Sequence, residues 1–505
     1  MLPLIFLAFA LLTLLLRLYN TRKKTLPLPP GPSPLPLIGN LHQAPQTLPW
    51  RTFDTWRRQY GPIMAAQFGN QTLILVSSAK IAHELLEKRS TKYSIRPELV
   101  MASNTTKGLH MLIHQYDDWD LESKQLLIEL LASNDFDRAF ERAFERYSGS
   151  LLYALAYGYR LPTGREQALK DMRTIQSKFT YSARVGTWIV DAIPLLNHLP
   201  TILAPWKRVA QRLFTLESGI HTRNLERGLS PSTPWNWSKE FARSKYSADM
   251  SRLELAYNLG ILADAGFETT WGVMLIFVLA ARAYPAFVAR ARQELDEVVG
   301  ADRLPGFEDH DQLAYVRAVV EETLRWRSMI PEGFPHAAKE EDEYMGYRIP
   351  KGATVVPLFW SMCMDEDVWG DPMAFRPERW LDQDVGEEKG GEKERFTSFF
   401  GYGRRVCKGR YIASNSLFVL MARVLWAFDI KAPVGEDGRP VEVDDMAFGS
   451  AFVSIPEPFE AVFVPRSERA REVVEREWRD TEKDLGVLME EVRVRQRGMG
   501  MDVMG

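Results

Sequence analysis

The sequence predicts a mainly α protein with a minor β portion, tethered by an N-terminal transmembrane helix. Three features carry this expectation. Apolar residues recur at helical spacing over long stretches, foremost residues 251–284. Candidate strands are few and short, such as TLILVS at residues 72–77. Residues 2–16 are apolar apart from Thr13, a composition that suits lipid.

That first run is slightly shorter than the about 20 residues of a full span. Leu18 and Tyr19 extend it, and Arg17 can snorkel to the interface. Arg22, Lys23 and Lys24 follow at once, which favours a cytosolic body and a lumenal N-terminus. The competing reading is a cleaved signal peptide. Its small-x-small site, Ala8-Phe9-Ala10, lies inside the apolar run, and no basic region precedes that run. Residues 1–20 are therefore expected to be an uncleaved anchor. Residues 21–49 form a basic, proline-rich hinge, in which LPLPPGPSPLP from Leu26 to Pro36 reads as a stiff extended spacer. Residues 50–467 form one continuous body. Within it, residues 251–284 carry apolar side chains at Leu255, Leu259, Leu262, Met274, Phe277 and Val278, and Pro285 marks the end. Helices are also expected over 313–326 and 407–428, and short strands at 347–349 and 354–357. Residues 386–394, GEEKGGEKE, read as a solvent-facing loop. Residues 468–505 form a charged tail, read as a solvated helix with no assigned function.

Composition narrows the function classes. With 46% hydrophobic and 26% charged residues the chain can bury a large core. A net charge of -3 gives no electrostatic reason to expect nucleic-acid binding. The only cysteines are Cys363 and Cys407. That count excludes a disulfide framework and a multi-thiolate zinc cluster, and it places the body in a reducing compartment. The sequons at Asn70, Asn104 and Asn236 are expected to stay unmodified in a cytosolic body.

One cysteine sits in Phe400-Gly-Tyr-Gly-Arg-Arg-Val-Cys-Lys-Gly409. A lone cysteine is most often a buried structural residue. Here its neighbours say otherwise. Gly403 and Gly409 allow close backbone approach, and a helix beginning at Cys407 favours a thiolate. Arg405 could meet an anionic group, and Phe400 can shield the sulfur. The pattern F-x-x-G-x-R-x-C-x-G resembles the haem-binding signature of the cytochrome P450 family, matching at Phe400, Gly403, Arg405, Cys407 and Gly409. The resemblance implies Cys407 as axial ligand of haem b (iron protoporphyrin IX) and Arg405 as a propionate partner.

Three further segments resemble the family in the family's order. Ala265-Gly-Phe-Glu268-Thr269-Thr270 is similar to its distal oxygen-activating element. Ala265-Gly266 would leave room for dioxygen. Glu268 and Thr269 would be catalytic, Thr269 holding a hydrogen-bond network and Glu268 coupling it to solvent. The blander reading is two polar residues on a wet helix face. Glu322-Thr-Leu-Arg325 puts opposite charges on one helix face, which by itself describes many surface pairs. Phe375-Arg-Pro-Glu-Arg379-Trp380 resembles the segment whose arginine joins such a pair in a buried triad. Glu322, Arg325 and Arg379 are thus assigned a structural role on the side of Cys407. Pro335-His336 falls where the family often has a propionate partner; a surface or core histidine is the alternative.

The resemblance covers nearly the whole chain. It implies the mostly helical cytochrome P450 fold, with its small sheet portion near the N-terminal half. It implies a monooxygenase that inserts one oxygen atom from dioxygen into a small-molecule substrate, with electrons from NADPH through NADPH-cytochrome P450 reductase. Localisation would be the endoplasmic reticulum membrane, single-pass, with a cytosolic catalytic domain. The style resembles microsomal fungal members, many of which tailor secondary metabolites. There is one departure. The family's helix with tryptophan and arginine four residues apart is not matched: Trp119 is followed by Ser123, and the stretch looks shortened by tens of residues. Residues 138–146 contain a local duplication. A propionate anchor and part of a reductase-docking surface are expected to be missing. That raises a second reading, a non-catalytic haem-binding pseudoenzyme or truncated product that binds haem weakly. A haem-thiolate isomerase or dehydratase is disfavoured by Glu268-Thr269. Candidate pocket residues lie at 101–110, 259–267, 329–334 and 448–453. Among them Glu332 either binds a basic substrate nitrogen or faces solvent.

Overall fold

The computed structural model describes residues 26–36, 38–45, 47–69, 71–95, 120–133, 138–183, 188–192, 194–381 and 397–498. The expected anchor at residues 1–20, Trp119, the pocket candidates at 101–110 and the loop at 386–394 lie outside them. The chain divides into two units.

The smaller unit draws on Met1–Pro97, Glu332–Met362 and Gly401–Arg405. It contains α1 (Pro49–Tyr60), β1 (Ile63–Phe68), β2 (Gln71–Val76), β3 (His336–Ala337), β4 (Asp342–Tyr344), β5 (Tyr347–Ile349) and β6 (Thr354–Pro357). Its main sheet has the order β1-β2-β6-β3. The β2 strand is the one expected at 72–77. Its Leu-Ile-Leu-Val run suits a strand covered on both faces, and it pairs in parallel with β6, Leu73 opposite Thr354. Phe53, Met64, Leu75 and Val356 share this unit's core. The proline-rich stretch does not stand free. Proline lacks an N–H yet keeps a carbonyl acceptor: Pro27 O accepts from Arg348 N and Pro30 O from Ala65 N, both at 2.9 Å.

The larger unit is helical. Its main members are α2 (Asp120–Leu131), α3 (Ala139–Tyr157), α4 (Gln167–Ala183), α5 (Pro205–Gly228), α6 (Arg252–Ala283), α7 (Pro285–Val298), α8 (Ala314–Trp326) and α9 (Arg410–Ala427). After these come the antiparallel pair β7 (Phe428–Lys431) and β8 (Val462–Pro465), then α10 (Glu468–Asp480) and α11 (Leu485–Gly498). The α6 helix begins with a capping box, in which Ser251 Oγ accepts from Glu254 N while Glu254 Oε2 accepts from Ser251 N. Pro285 opens the next helix. Apolar on nearly every side, α6 is buried along most of its length, as a core helix should be. Among the described residues it is the one helix long and apolar enough to cross a membrane, and α3, α5, α7, α8 and α9 pack against it.

Two expectations are corrected here. The helix expected over 407–428 starts at Arg410, because Gly409 is its N-cap, and it ends at Ala427, because Phe428 is already extended in β7. The tail is helical but only partly solvated. Val473, Val474 and Met489 are fully buried and join the main core. None of its described charged side chains is buried, and the buried positions are apolar, which a count of charge density does not reveal.

Candidate functional site

Cys407 lies three residues ahead of α9, in the turn that feeds it. Its backbone N donates to Phe400 O at 2.7 Å, which closes the loop on itself. The thiol is accessible, although protein crowds it on most sides. Burial pushes the Cys407 thiol up, while the Gly409 N–H and the cationic Arg410 and Lys408 pull it back. An accessible thiol with a backbone donor and positive charge around it suits a thiolate ligand, and a metal would deprotonate it outright. A haem iron therefore fits this donor. Cys363 is the contrast. It is fully buried, and burial pushes its thiol up to about 12.

Gly403, Arg405 and His336 belong to the smaller unit. Gly403 has φ +55, and an added Cβ would lie 2.6 Å from Leu86 O. Its smallness thus serves the protein's own backbone, a different reason from close approach of a cofactor. Arg405 Nε donates to Ser94 O at 2.8 Å. His336 is buried on β3, and its Nδ1 lies 2.8 Å from Tyr93 O. A carbonyl only accepts, so Nδ1 carries a proton.

Glu322, Arg325 and Arg379 come together, all buried. Arg325 grips the carboxylate in two places, Nη2 to Oε1 and Nε to Oε2, each at 2.8 Å. Arg379 Nε reaches Oε1 at 3.1 Å. Arg376 N and Trp380 Nε1 add bonds at 2.8 and 2.9 Å. The spare guanidinium donors go to backbone carbonyls, among them Cys363 O, Pro372 O and Trp369 O. A buried carboxylate with five donors between two cations is a satisfied network.

On α6, Glu268 is half-buried, and burial pushes its carboxyl up to about 7 while a hydrogen bond from Gln176 Nε2 opposes this. Such a group both holds and releases a proton near neutrality. Thr269 Oγ1 donates to Ala265 O at 2.8 Å, so its oxygen is left to accept. The small pair ahead of them has two separate reasons. Ala265 is exposed, whereas Gly266 faces Leu152 of α3, where a Cβ would lie 2.9 Å from Leu152 Cδ1. Gly266 is small for helix packing. In the smaller unit, burial alone pushes Glu332 up to about 7.

Sequence reasoning missed several residues. Gln176 is 92 positions from Glu268, with no local signal. Glu122 is buried between Arg146 and Arg160, each at 2.5 Å, with Ser150 Oγ at 2.7 Å. Arg146 ends the local duplication, but only helix phase tells it from Arg142. Ser123, where an arginine was expected, is buried and accepts from Arg423 Nη1 at 2.6 Å.

Comparison with known proteins adds independent information. The family model described as Cytochrome P450 matches residues 29–181 and 194–463. The chain is 40% identical over 484 residues to Cytochrome P450 monooxygenase aneD of Aspergillus aculeatus, covering 90% of this chain and 92% of that protein. It is 36% identical over 500 residues to Cytochrome P450 monooxygenase FrzL of Cladobotryum sp, covering 94% of each. It is 37% identical over 505 residues to the Echilunin cytochrome P450 monooxygenase of Aspergillus ruber, covering 94% and 91%. A 484-residue match that engages 90% of this chain leaves a few tens of its positions with no residue here.

Proposed function

Because this chain belongs to the cytochrome P450 family, we propose that Cys407 would hold its haem b through its thiolate and that Glu268 and Thr269 would pass protons to the reacting oxygen. The activity is that of a haem-dependent monooxygenase, as the relatives' names state for them. Those names favour a working enzyme over a pseudoenzyme. A substrate RH, dioxygen, two electrons and two protons give ROH and water. When bound, haem supplies the redox and oxygen chemistry, and thiolate ligation favours O–O cleavage.

The residues supply the rest. The observation that carries this reading is the accessible Cys407 thiol under the Gly409 N–H, just ahead of α9. Arg405 and His336 are assigned to the propionates. His336 would be oriented for this by its Nδ1–H bond to Tyr93 O. Glu268, half-ionised near neutrality, takes protons from solvent, and Thr269 holds their acceptor by hydrogen bonding. The Glu322 network keeps the segments beside α8 rigid. Electrons come from NADPH through NADPH-cytochrome P450 reductase. The protein is anchored in the endoplasmic reticulum by residues 1–20, and it acts on a small organic substrate in secondary-metabolite biosynthesis.

Cys407→Ser tests the central assignment. The ferrous carbonmonoxide spectrum should lose its thiolate signature, and labelled dioxygen should no longer enter product. Unchanged labelled product from Cys407→Ser, or product formed without dioxygen, would refute it.

A further inference from the structure

Arg405 and His336 are 69 positions apart in sequence, yet both are held by one short stretch of chain. His336 Nδ1 donates to Tyr93 O at 2.8 Å, and Arg405 Nε donates to the very next carbonyl, Ser94 O, at 2.8 Å. The stretch is pinned to the β3 side of the sheet at both its ends. Ala337 N donates to Ile95 O at 2.8 Å and Lys339 N to Lys92 O at 2.7 Å. It is also pinned through side chains to a single carboxylate on β4. Asp342 accepts from Tyr93 Oη at 2.9 Å, from Lys92 Nζ at 2.7 Å and from Arg89 Nη1 at 3.1 Å. Tyr93 is fully buried and the Asp342 side chain nearly so. Burial opposes the ionised form of Asp342, but the Lys92, Tyr93 and Arg89 donors hold its carboxyl below the usual range. All these groups lie in the smaller unit.

We infer that the Lys92–Tyr93–Ser94 stretch, anchored by Asp342, is the positioning element for both propionate partners. It rests on the propionate assignment made above. Tyr93 and Asp342 are positioning residues. Each acts through another residue, by fixing the carbonyls that set the ring of His336 and the guanidinium of Arg405. A side chain fixed in advance loses less freedom when it binds its partner. A charge-assisted bond is a strong way to fix it.

The test is the rate at which the full-length haem-loaded protein gives up haem to an excess of apomyoglobin. His336→Gln and Arg405→Gln should each accelerate loss. Asp342→Asn and Tyr93→Phe should accelerate it about tenfold, the scale of one charge-assisted hydrogen bond, and Asp342→Glu should restore retention. The decisive measurement adds Asp342→Asn to a protein that lacks both partners, His336→Gln with Arg405→Gln. If Asp342 acts through those two residues, the triple variant loses haem little faster than the double variant. The propionate bending band in the resonance Raman spectrum should shift in Asp342→Asn as it does in His336→Gln. Additive effects, or wild-type retention in Asp342→Asn while His336→Gln is fast, overturn the inference and leave the propionate assignment standing. Wild-type retention in both His336→Gln and Arg405→Gln overturns the two together.

Discussion

Glu268, proposed as a proton-passing residue, works against stability. Burial puts its folded value at about 7, above the ordinary 4.5. Below 4.5 both folded and unfolded chains are protonated and nothing is lost. As pH rises from 4.5 to about 7 the unfolded chain ionises first, so stability falls, and above about 7 the loss is constant. Glu268→Gln should therefore match the wild type in acid and exceed it above neutrality. The ceiling is about 3 kcal/mol, reduced by the solvent that reaches this half-buried group. Urea unfolding across that range reads the difference. Turnover should move the other way, falling about 10²-fold or more. Arg325→Met should cost about 3–5 kcal/mol in the same assay, because it strands a buried carboxylate. The Glu322–Arg325 pair was legible in the sequence, since i,i+3 spacing is local. Arg379 was legible only through family resemblance, and the bonds from Arg376 N and Trp380 Nε1 were not legible, because the chain's return to Glu322 is a tertiary event.

At the scale of elements, helical period located α6 and α8 to within a residue or two, and β-branched runs located β2 and β6. Periodicity failed where one residue type serves two environments. The tail is the clearest case. Charges of both signs fill 467–496, so solvation was the natural reading, yet Val473, Val474 and Met489 belong to the main core. Met489→Ala should cost about 2–5 kcal/mol if α11 is docked in this way; unfolding midpoints equal to wild type would show the helix to be free. The same limit applies to Gly266. Smallness was visible, but whether it admits a ligand or Leu152 depended on which helix crosses there.

At the scale of the whole molecule, the proposed anchor is tested apart from the body. The full chain should stay with membranes through a carbonate wash, and a chain starting at Leu26 should be released by it. Retention of the shorter chain would move the membrane contact to the body. The sequence by itself determined the family, the helical class, the ten-residue cysteine motif and the order of the motifs, because each is written in residues close along the chain. Tertiary structure alone decided that Gln176 bonds Glu268, that Glu122 joins two arginines and that one stretch at residues 92–94 holds both Arg405 and His336. Those contacts join residues tens to hundreds of positions apart. No local pattern encodes them, because they follow from packing that only the folded chain achieves. Cys407 shows both sides at once: its motif was written in ten residues, while the accessibility of its thiol and the donors around it came from the fold.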